Sequence, residues 1–137
     1  MAKIFSSDWM RDFAQAWNAD AEMTDNLAAA GFTSTIGFGC SGDEQPVGIV
    51  EVENGKVTYA GDYQGQKLDW DMRADVETWQ EWIAEGFGLE KLGVAVSSGK
   101  LDFVVGDYRK MIRNPNMAKP FLRHFELMQG LDTEFTR

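Results

Sequence analysis

The clearest indication of fold in this chain is the dipeptide Asn54-Gly55, which separates two short runs, residues 47–52 and 56–60. Both runs are rich in residue types that favour strands, such as valine, isoleucine, threonine and tyrosine. An Asn-Gly pair suits a two-residue hairpin turn, because both positions of that turn take positive φ. The pattern therefore predicts an antiparallel β-hairpin in the middle of the chain.

Further strands are predicted on both sides of the hairpin. Residues 33–38 alternate weakly between apolar and polar types, and residues 101–105 form a short run after a Ser-Gly turn. In residues 68–73, Leu68, Trp70 and Met72 alternate with charged residues. This alternation predicts a half-buried strand whose other face is solvated and carries Asp69, Asp71 and Arg73.

Helices are predicted before the first strand and around the last one. Every fourth residue is aromatic near the N-terminus, which indicates a helix capped by Ser6 or Ser7 with one apolar stripe of Phe5, Trp9, Phe13 and Trp17. A second helix over residues 22–30 should end at Gly31. Another helix is predicted over residues 76–87 with Asp75 as its N-cap. Further helices are predicted over residues 89–96, 108–113 and 117–129, with an interruption at Asn114-Pro115 between the last two. The chain is therefore expected to be α+β, with about five mainly antiparallel strands covered on one face by helices.

The length of 137 residues predicts one domain, residues 1–137, with N-terminal helices in residues 1–30 and a C-terminal helical extension in residues 114–137. The net charge of −9 argues against binding to nucleic acid, which requires clustered positive charge. No stretch has the roughly 20 apolar residues of a membrane helix, and the first residues do not resemble a signal peptide. We therefore expect a cytoplasmic protein without integral membrane association.

Reactive side chains are scarce in this sequence. His124 is the only histidine, which excludes zinc sites that need two or three imidazoles. Cys40 could act as a nucleophile with His124 as its base, but a lone cysteine is more often a small buried hydrophobic residue. A helical position next to Arg123 favours a solvated histidine. We therefore predict no catalytic residues, no metal and no cofactor.

Positive charge is concentrated in one segment. Five basic residues and no acidic residue lie between Tyr108 and Phe125, and subtracting them from the total of −9 leaves −14 on the rest of the chain. Arg109 and Arg113 are four residues apart and share one face of a predicted helix. They indicate either a solvated basic face or a site for an anion such as a carboxylate or phosphate.

Aromatic and methionine side chains are concentrated in the segments around the last strands and helices: Trp70, Met72, Trp79, Trp82, Phe87, Phe103, Met111, Met117 and Met128. Such side chains either fill a core or line an apolar pocket. An empty pocket of roughly 300 Å³ would cost about 7 kcal/mol at ~24 cal/mol per Å³. Because this is comparable with the stability of a whole domain, a real pocket should hold ligand or water, or partly collapse.

Five segments follow one another in a recognisable order: a hairpin in residues 54–62, a strand with a helix cap in residues 68–75, a helix in residues 76–86, a Gly-Lys-Leu strand with a Gly-Asp end in residues 98–107, and a short helix in residues 108–112. In this order they resemble the sterol carrier protein 2 (SCP2) family of lipid-binding domains. The resemblance starts near Val47 and covers about two thirds of the chain.

The resemblance implies a five-stranded sheet under helices, with an apolar tunnel between them that takes sterols, fatty acids or fatty acyl-CoAs. It makes six positions candidates for lining the tunnel: Trp70, Met72, Trp79, Ile83, Phe103 and Met111. Two features depart from the family pattern. The C-terminal extension can close the tunnel or form a dimer surface, and the tryptophan-rich N-terminal helix can fill space that a ligand occupies in relatives.

Two functions follow from these features. The first is non-enzymatic binding or carriage of a hydrophobic small molecule or lipid, with Arg109 and Arg113 near an anionic head group. The alternative is an interaction module with a filled tunnel, whose C-terminal helix forms a homodimer or binds a partner enzyme. An enzyme that uses a buried carboxylate ranks last, because no acid–base pair stands out.

Overall fold

The computed structural model describes residues 2–136 of the chain. This range contains six helices and seven strands, joined by turns and loops. The strands are β1 (Ala2–Lys3), β2 (Ser34–Cys40), β3 (Gly48–Glu53), β4 (Lys56–Asp62), β5 (Trp70–Ala74), β6 (Asp102–Val105) and β7 (Thr133–Glu134). The helices are α1 (Ser7–Ala19), α2 (Ala21–Ala29), α3 (Val76–Glu85), α4 (Leu89–Ser97), α5 (Tyr108–Ile112) and α6 (Pro115–Gln129). The predicted α+β class is therefore confirmed.

The predicted hairpin is formed by β3 and β4. Asn54 and Gly55 have φ angles of 48° and 86°, as the two-residue turn requires. The turn lies against α2, because a Cβ atom on Gly55 would be 2.7 Å from the backbone nitrogen of Ala28. The indole nitrogen of Trp17 donates a hydrogen bond to the Gly55 carbonyl oxygen at 2.9 Å. The turn thus joins the hairpin to both N-terminal helices.

The main sheet has the strand order β4-β3-β2-β5-β6. β2 and β5 are parallel, whereas the other three pairings are antiparallel, so the sheet is mixed and mainly antiparallel, as predicted. The register pairs Phe38 with Met72 and Gly39 with Arg73. Because side chains alternate along a strand, Phe38 and Met72 face one side of the sheet, and Arg73 faces the other.

The helices pack against the face of the sheet that carries Phe38. The ring of Phe13 from α1 lies 6.0 Å from the ring of Phe38, and the ring of His124 from α6 lies 5.9 Å from it. On α3, the indole nitrogen of Trp79 donates to the Gly39 carbonyl oxygen at 2.9 Å. These contacts place α1, α3 and α6 over the central strand β2.

The N-terminal aromatic stripe forms much of this core. Trp9, Phe13 and Trp17 are at most 1% exposed. The helix begins at Ser7 and is capped by Ser6, whose hydroxyl accepts a hydrogen bond from the Trp9 backbone nitrogen. Phe5 precedes the helix with a φ of 61°, and its ring still packs edge-on against Trp9.

Two other predicted helix boundaries can be compared with the structure. Gly31 follows the end of α2 and has a φ of 64°, the conformation expected of a helix stop. Asp75 occupies the N-cap position of α3, but its side chain makes no capping hydrogen bond. The position of the cap is therefore confirmed, and its hydrogen bond is not.

The charged face of β5 is buried, so the prediction that Asp71 is solvated is wrong. Asp71 and Arg73 are 2% and 4% exposed, and the guanidinium donates to both carboxylate oxygens at 2.7 and 2.8 Å. Arg73 also donates to the Asp43 carbonyl oxygen at 2.6 Å. Gly39 leaves room for this pair, since a Cβ atom there would lie 3.1 Å from the Arg73 side chain.

Loop residues cover this second face of the sheet, the one that carries Asp71 and Arg73. Pro46 lies against Gly37 and Gly39, and Leu68 also approaches Gly37. Asp69 remains exposed, as predicted, and its carboxylate accepts a hydrogen bond from the Thr35 backbone nitrogen at 2.9 Å. Strand alternation correctly separates Trp70 and Met72 from Asp71 and Arg73. Leu68, which precedes β5, lies on the face opposite the one that the alternation predicts, and the pattern does not reveal which loops cover that face.

The short strands β1 and β7 pair in parallel, with Ala2 opposite Thr133 and Lys3 opposite Glu134. The Trp9 indole nitrogen also donates to the Thr133 hydroxyl at 2.8 Å. This pairing is not predicted by the sequence, because two-residue strands have no detectable period. It ties the segment after α6 to the segment before α1.

Candidate functional site

An apolar cavity of about 40 Å³ lies between the sheet and helices α2, α5 and α6. Its wall consists of Trp17, Met23, Leu27, Phe32, Ile36, Trp70, Met72, Met111, Met117, Pro120, Phe121 and His124. All of these side chains except His124 are apolar or aromatic. Phe32, Trp70 and Met117 are only partly buried, so we place the approach from solvent on their side.

Local sequence signals direct the wall residues of α5 and α6 towards the cavity. The Asp107 carboxylate caps α5 by accepting a hydrogen bond from the Lys110 backbone nitrogen at 3.1 Å. The Asn114 side chain caps α6 in the same way, and Pro115 occupies the first turn, where its missing N–H is no loss. The predicted interruption at Asn114-Pro115 therefore lets α5 and α6 both face the cavity.

Three of the candidate tunnel-lining residues come together on this wall. Trp70 and Met72 project from β5, and Met111 projects from α5. Trp79 and Ile83 lie on α3 and are buried in the core away from the cavity. Trp79 packs against aromatic rings there, among them Phe125 at 6.2 Å.

The last tunnel candidate, Phe103, and the two head-group candidates, Arg109 and Arg113, also lie outside the cavity. Phe103 is half-buried behind its wall, in ring contact with Trp70 and Phe121, and lines a separate, more polar groove of about 660 Å³. Arg109 on α5 and Arg113 at the C-cap of this helix are both exposed. An anion-binding role for the two arginines stays a prediction.

Arg123, another residue of the basic segment, forms ion pairs with two acidic side chains. Arg123 contacts Asp20, the N-cap of α2, at 2.6 Å and Glu126 at 2.7 Å. The hydrogen bonds that the Arg123 guanidinium donates to Glu126 and, with a smaller effect, to Asp20 raise its pKa above the ordinary value. Arg123 therefore links α6 to the N-terminus of α2.

Four methionines distinguish the wall from a rigid core: Met23, Met72, Met111 and Met117. An unfilled cavity of 40 Å³ lowers stability by only about 1 kcal/mol at ~24 cal/mol per Å³. The fold therefore tolerates this cavity without a ligand, in keeping with the expectation of partial collapse. Methionine side chains are unbranched and change conformation readily, so this wall can widen to admit a larger molecule.

His124 is the one polar side chain of the wall, and the prediction that it is solvated is wrong. It is 2% exposed, and its ring contacts Phe13, Phe38, Phe121 and Phe125. Two other buried residues of α6, Pro120 and Met128, lie four residues before and after His124. This helical spacing is the signal that could have identified His124 as buried.

Burial in this aromatic environment lowers the pKa of His124 to about 4, although its Nδ1 hydrogen bond to the Phe121 carbonyl oxygen acts in the opposite direction. The imidazole is therefore neutral at pH 7. The Nδ1–H group donates to the Phe121 carbonyl oxygen, and Nε2 has no hydrogen-bond partner among residues 2–136.

We expect His124 to make the protein less stable in mild acid. The folded-state pKa of about 4 lies below the ordinary value of 6.5, so acidification protonates the unfolded chain first. Between pH 6.5 and pH 4 the wild type should lose about 3 kcal/mol more unfolding free energy than a His124→Phe variant. Urea unfolding of both proteins across this range measures the difference, and parallel pH profiles would contradict it.

Two further findings concern residues 2–136. No three histidine, cysteine, aspartate or glutamate side chains in that range are grouped so that they could hold a metal ion. No helix in the same range has both the length and the apolar character needed to span a membrane.

Known structures with the same architecture have low sequence identity to this chain. A crystal structure of sterol carrier protein 2 superposes with a TM-score of 0.72 at 16% identity, covering 95% of this chain and 100% of that chain. A solution structure from Thermus thermophilus, described as possibly a sterol carrier protein, gives 0.72 at 15% identity, covering 99% of this chain and 94% of that one. The chain has the sterol carrier protein 2 fold.

A third structure with the SCP2 fold is the UbiJ-SCP2 ubiquinone synthesis protein, with a TM-score of 0.58 at 11% identity over 88% of this chain and 87% of that chain. No family model and no curated protein sequence matches the chain. The predicted resemblance is thus confirmed as a likeness of fold. At these identities the likeness extends to the fold and not to the chemistry of the cavity.

Proposed function

We propose that this protein binds a hydrophobic, lipid-like molecule, without catalysis, in the cavity between the sheet and helices α2, α5 and α6. The observation that carries the proposal is the composition of the wall, which is apolar apart from one neutral histidine. Each methylene group transferred from water to such an environment contributes about 0.8 kcal/mol. Sterol carrier protein 2, which shares the fold, is named as a carrier of sterols.

The size of the ligand depends on how far the methionine wall moves. Pockets for drug-sized molecules commonly measure about 300–1,000 Å³, whereas this cavity measures about 40 Å³. Binding of an acyl chain therefore requires the wall to open, and Met117 is the partly buried methionine on the solvent side. An indole at this position would fill the space that an entering chain needs.

We expect wild-type protein to bind the fluorescent fatty acid 11-(dansylamino)undecanoate and to release it when oleate is added. Met117→Trp should weaken binding at least tenfold, because the larger side chain fills the cavity. Leu89→Trp is the matched control, since Leu89 is 57% exposed on α4 and its replacement should leave the affinity unchanged. Fluorescence titration gives both affinities, and circular dichroism verifies that each variant is folded.

The same titration tests the proposed role of Arg109 and Arg113 near an anionic head group. The double variant Arg109→Gln/Arg113→Gln should weaken oleate binding a few-fold at low salt and much less at high salt, since exposed charges are screened. The variant Lys91→Gln/Lys100→Gln removes the same charge from other exposed positions and serves as the control. Equal effects of the two double variants would contradict a head-group site.

Absence of binding in the wild type would contradict the proposal and favour an interaction module with a filled cavity. Such a module needs an exposed apolar surface. The apolar face of α6 is buried in the core through Phe125 and Met128, whereas Leu89, Val94 and Val104 are at least half exposed. Sedimentation of the unliganded protein at several concentrations would then detect self-association.

A further inference from the structure

His124 has one ring nitrogen that the fold does not use. A carbonyl oxygen can only accept a hydrogen bond, so the contact with the Phe121 carbonyl places the proton on Nδ1. In a neutral imidazole the other nitrogen is then an acceptor with a free lone pair. Nε2 of His124 is buried and has no partner among the described residues. Buried acceptors rarely stay unsatisfied, because they lose their hydrogen bonds to water on folding.

The rings around His124 do not provide a donor. Four of them are phenylalanine rings, and the fifth belongs to Trp17, at a centroid distance of 6.5 Å. The Trp17 indole N–H already donates to the Gly55 carbonyl oxygen. A donor for Nε2 therefore has to come from a molecule that enters the cavity.

Water alone is a poor match for this position. The cavity of about 40 Å³ is large enough for a water molecule. A buried water, however, usually makes two to four hydrogen bonds, and the side chains of this wall are apolar apart from the histidine. A molecule with one donor and an apolar body fits the wall better. A carboxylate can bind through its acyl chain, but it has no proton to donate and leaves Nε2 without a partner.

We propose that the cavity selects uncharged lipids that carry a hydroxyl group, with the hydroxyl donating a hydrogen bond to Nε2 of His124. This inference rests on the proposed lipid binding and adds its specificity: the polar end of the ligand is an alcohol held inside the protein. His124 is thus a specificity-determining residue, while the surrounding methionines and aromatic rings hold the apolar body. The low pKa of His124 keeps the acceptor unprotonated at neutral pH.

The test compares 1-decanol with its methyl ether, 1-methoxydecane, by displacement of 11-(dansylamino)undecanoate from the full chain at pH 7.5. The ether cannot donate a hydrogen bond, and its additional methyl group increases apolar burial, so a preference for the alcohol has to come from the hydroxyl. We expect wild-type protein to bind the alcohol about tenfold more tightly than the ether. His124→Phe should bind both about equally. Met128→Leu, a volume-conserving change on α6 outside the cavity wall, should retain the tenfold ratio.

A second measurement does not depend on the folding of a variant. His124 is the only histidine of the chain, so its two ring nitrogens are the only imidazole signals in ¹⁵N-histidine-labelled protein. Decanol should shift the Nε2 resonance in the direction of hydrogen bonding, and the ether should not.

The outcomes separate this inference from the proposed function. Equal binding of alcohol and ether to the wild type, without an Nε2 shift, overturns the role of His124 and leaves lipid binding intact. A preference for the alcohol that persists in His124→Phe also overturns it, because the hydroxyl is then recognised elsewhere. Failure of the wild type to bind decanol, the ether and the dansyl fatty acid overturns both proposals.

Discussion

Arg73→Met is expected to lower the free energy of unfolding by about 3–5 kcal/mol. The substitution leaves the Asp71 carboxylate buried at 2% exposure without the guanidinium that now donates to both of its oxygens. A buried charge without a partner is among the most destabilising changes in a folded protein. Urea unfolding followed by circular dichroism measures the loss as a lower midpoint at unchanged slope.

Two controls show whether burial causes this effect. Arg11→Met removes the arginine of an ion pair with Asp8 in which both side chains are more than half exposed, and it should change stability by no more than about 0.5 kcal/mol. The double variant Asp71→Leu/Arg73→Met removes both buried charges and should recover much of the loss. A small effect of Arg73→Met alone would mean that Asp71 obtains other hydrogen bonds.

Gly55→Ala is expected to lower the unfolding free energy by at least about 3 kcal/mol, because two penalties combine. With a φ of 86°, alanine at this position is strained. Its Cβ atom would also lie 2.7 and 2.8 Å from backbone atoms of Ala28 and Thr24 in α2. Since backbone atoms of a packed helix cannot move separately, either the hairpin turn or α2 has to shift.

The control for Gly55→Ala is Gly42→Ala. Gly42 has nearly the same φ, 88°, but a Cβ atom there would meet nothing within 4 Å. This variant should lose only the conformational term of about 1–2 kcal/mol. Comparing the two by urea unfolding isolates the effect of the contact with α2. Equal losses would show that the contact relaxes without penalty.

The Gly55 turn also affects the candidate binding cavity. Trp17, which donates to the Gly55 carbonyl oxygen, is part of the cavity wall, and so are Met23 and Leu27 of α2. A shift of the turn would therefore move three wall residues together. The β3–β4 hairpin therefore supports the cavity wall in addition to forming part of the sheet.

Local patterns in the sequence predict most of the backbone. The Asn54-Gly55 turn, the aromatic stripe of α1 and the stop at Asn114-Pro115 are correct, because each depends on interactions between residues close together in the chain. The order of the hairpin, strands and helices is sufficient to identify the SCP2 fold, which the structural comparison confirms.

The environment of single side chains is harder to predict, because it depends on residues far apart in sequence. The alternation in β5 assigns Trp70 and Met72 to the helix-covered face, but it cannot reveal that Pro46 and Leu68 fold over the other. For the same reason, a histidine beside a charged arginine gives no sign that its ring packs against Phe38.

The assignment of Trp79 and Ile83 to the tunnel depends on the family resemblance. In this chain they pack in the core beside the N-terminal aromatic stripe, and Phe5 lies 5.1 Å from the Trp79 ring. The remaining cavity is therefore confined to the region of Met72, Met111 and His124.

The uneven burial of the five tryptophans has an optical consequence. Trp9, Trp17, Trp79 and Trp82 are at most 4% exposed, whereas Trp70 is partly exposed at the cavity. Collisional quenchers such as iodide need contact with the indole, so in the native protein they act mainly on the emission of Trp70. Occupation of the cavity is thus readable from the protein's own fluorescence, without a label.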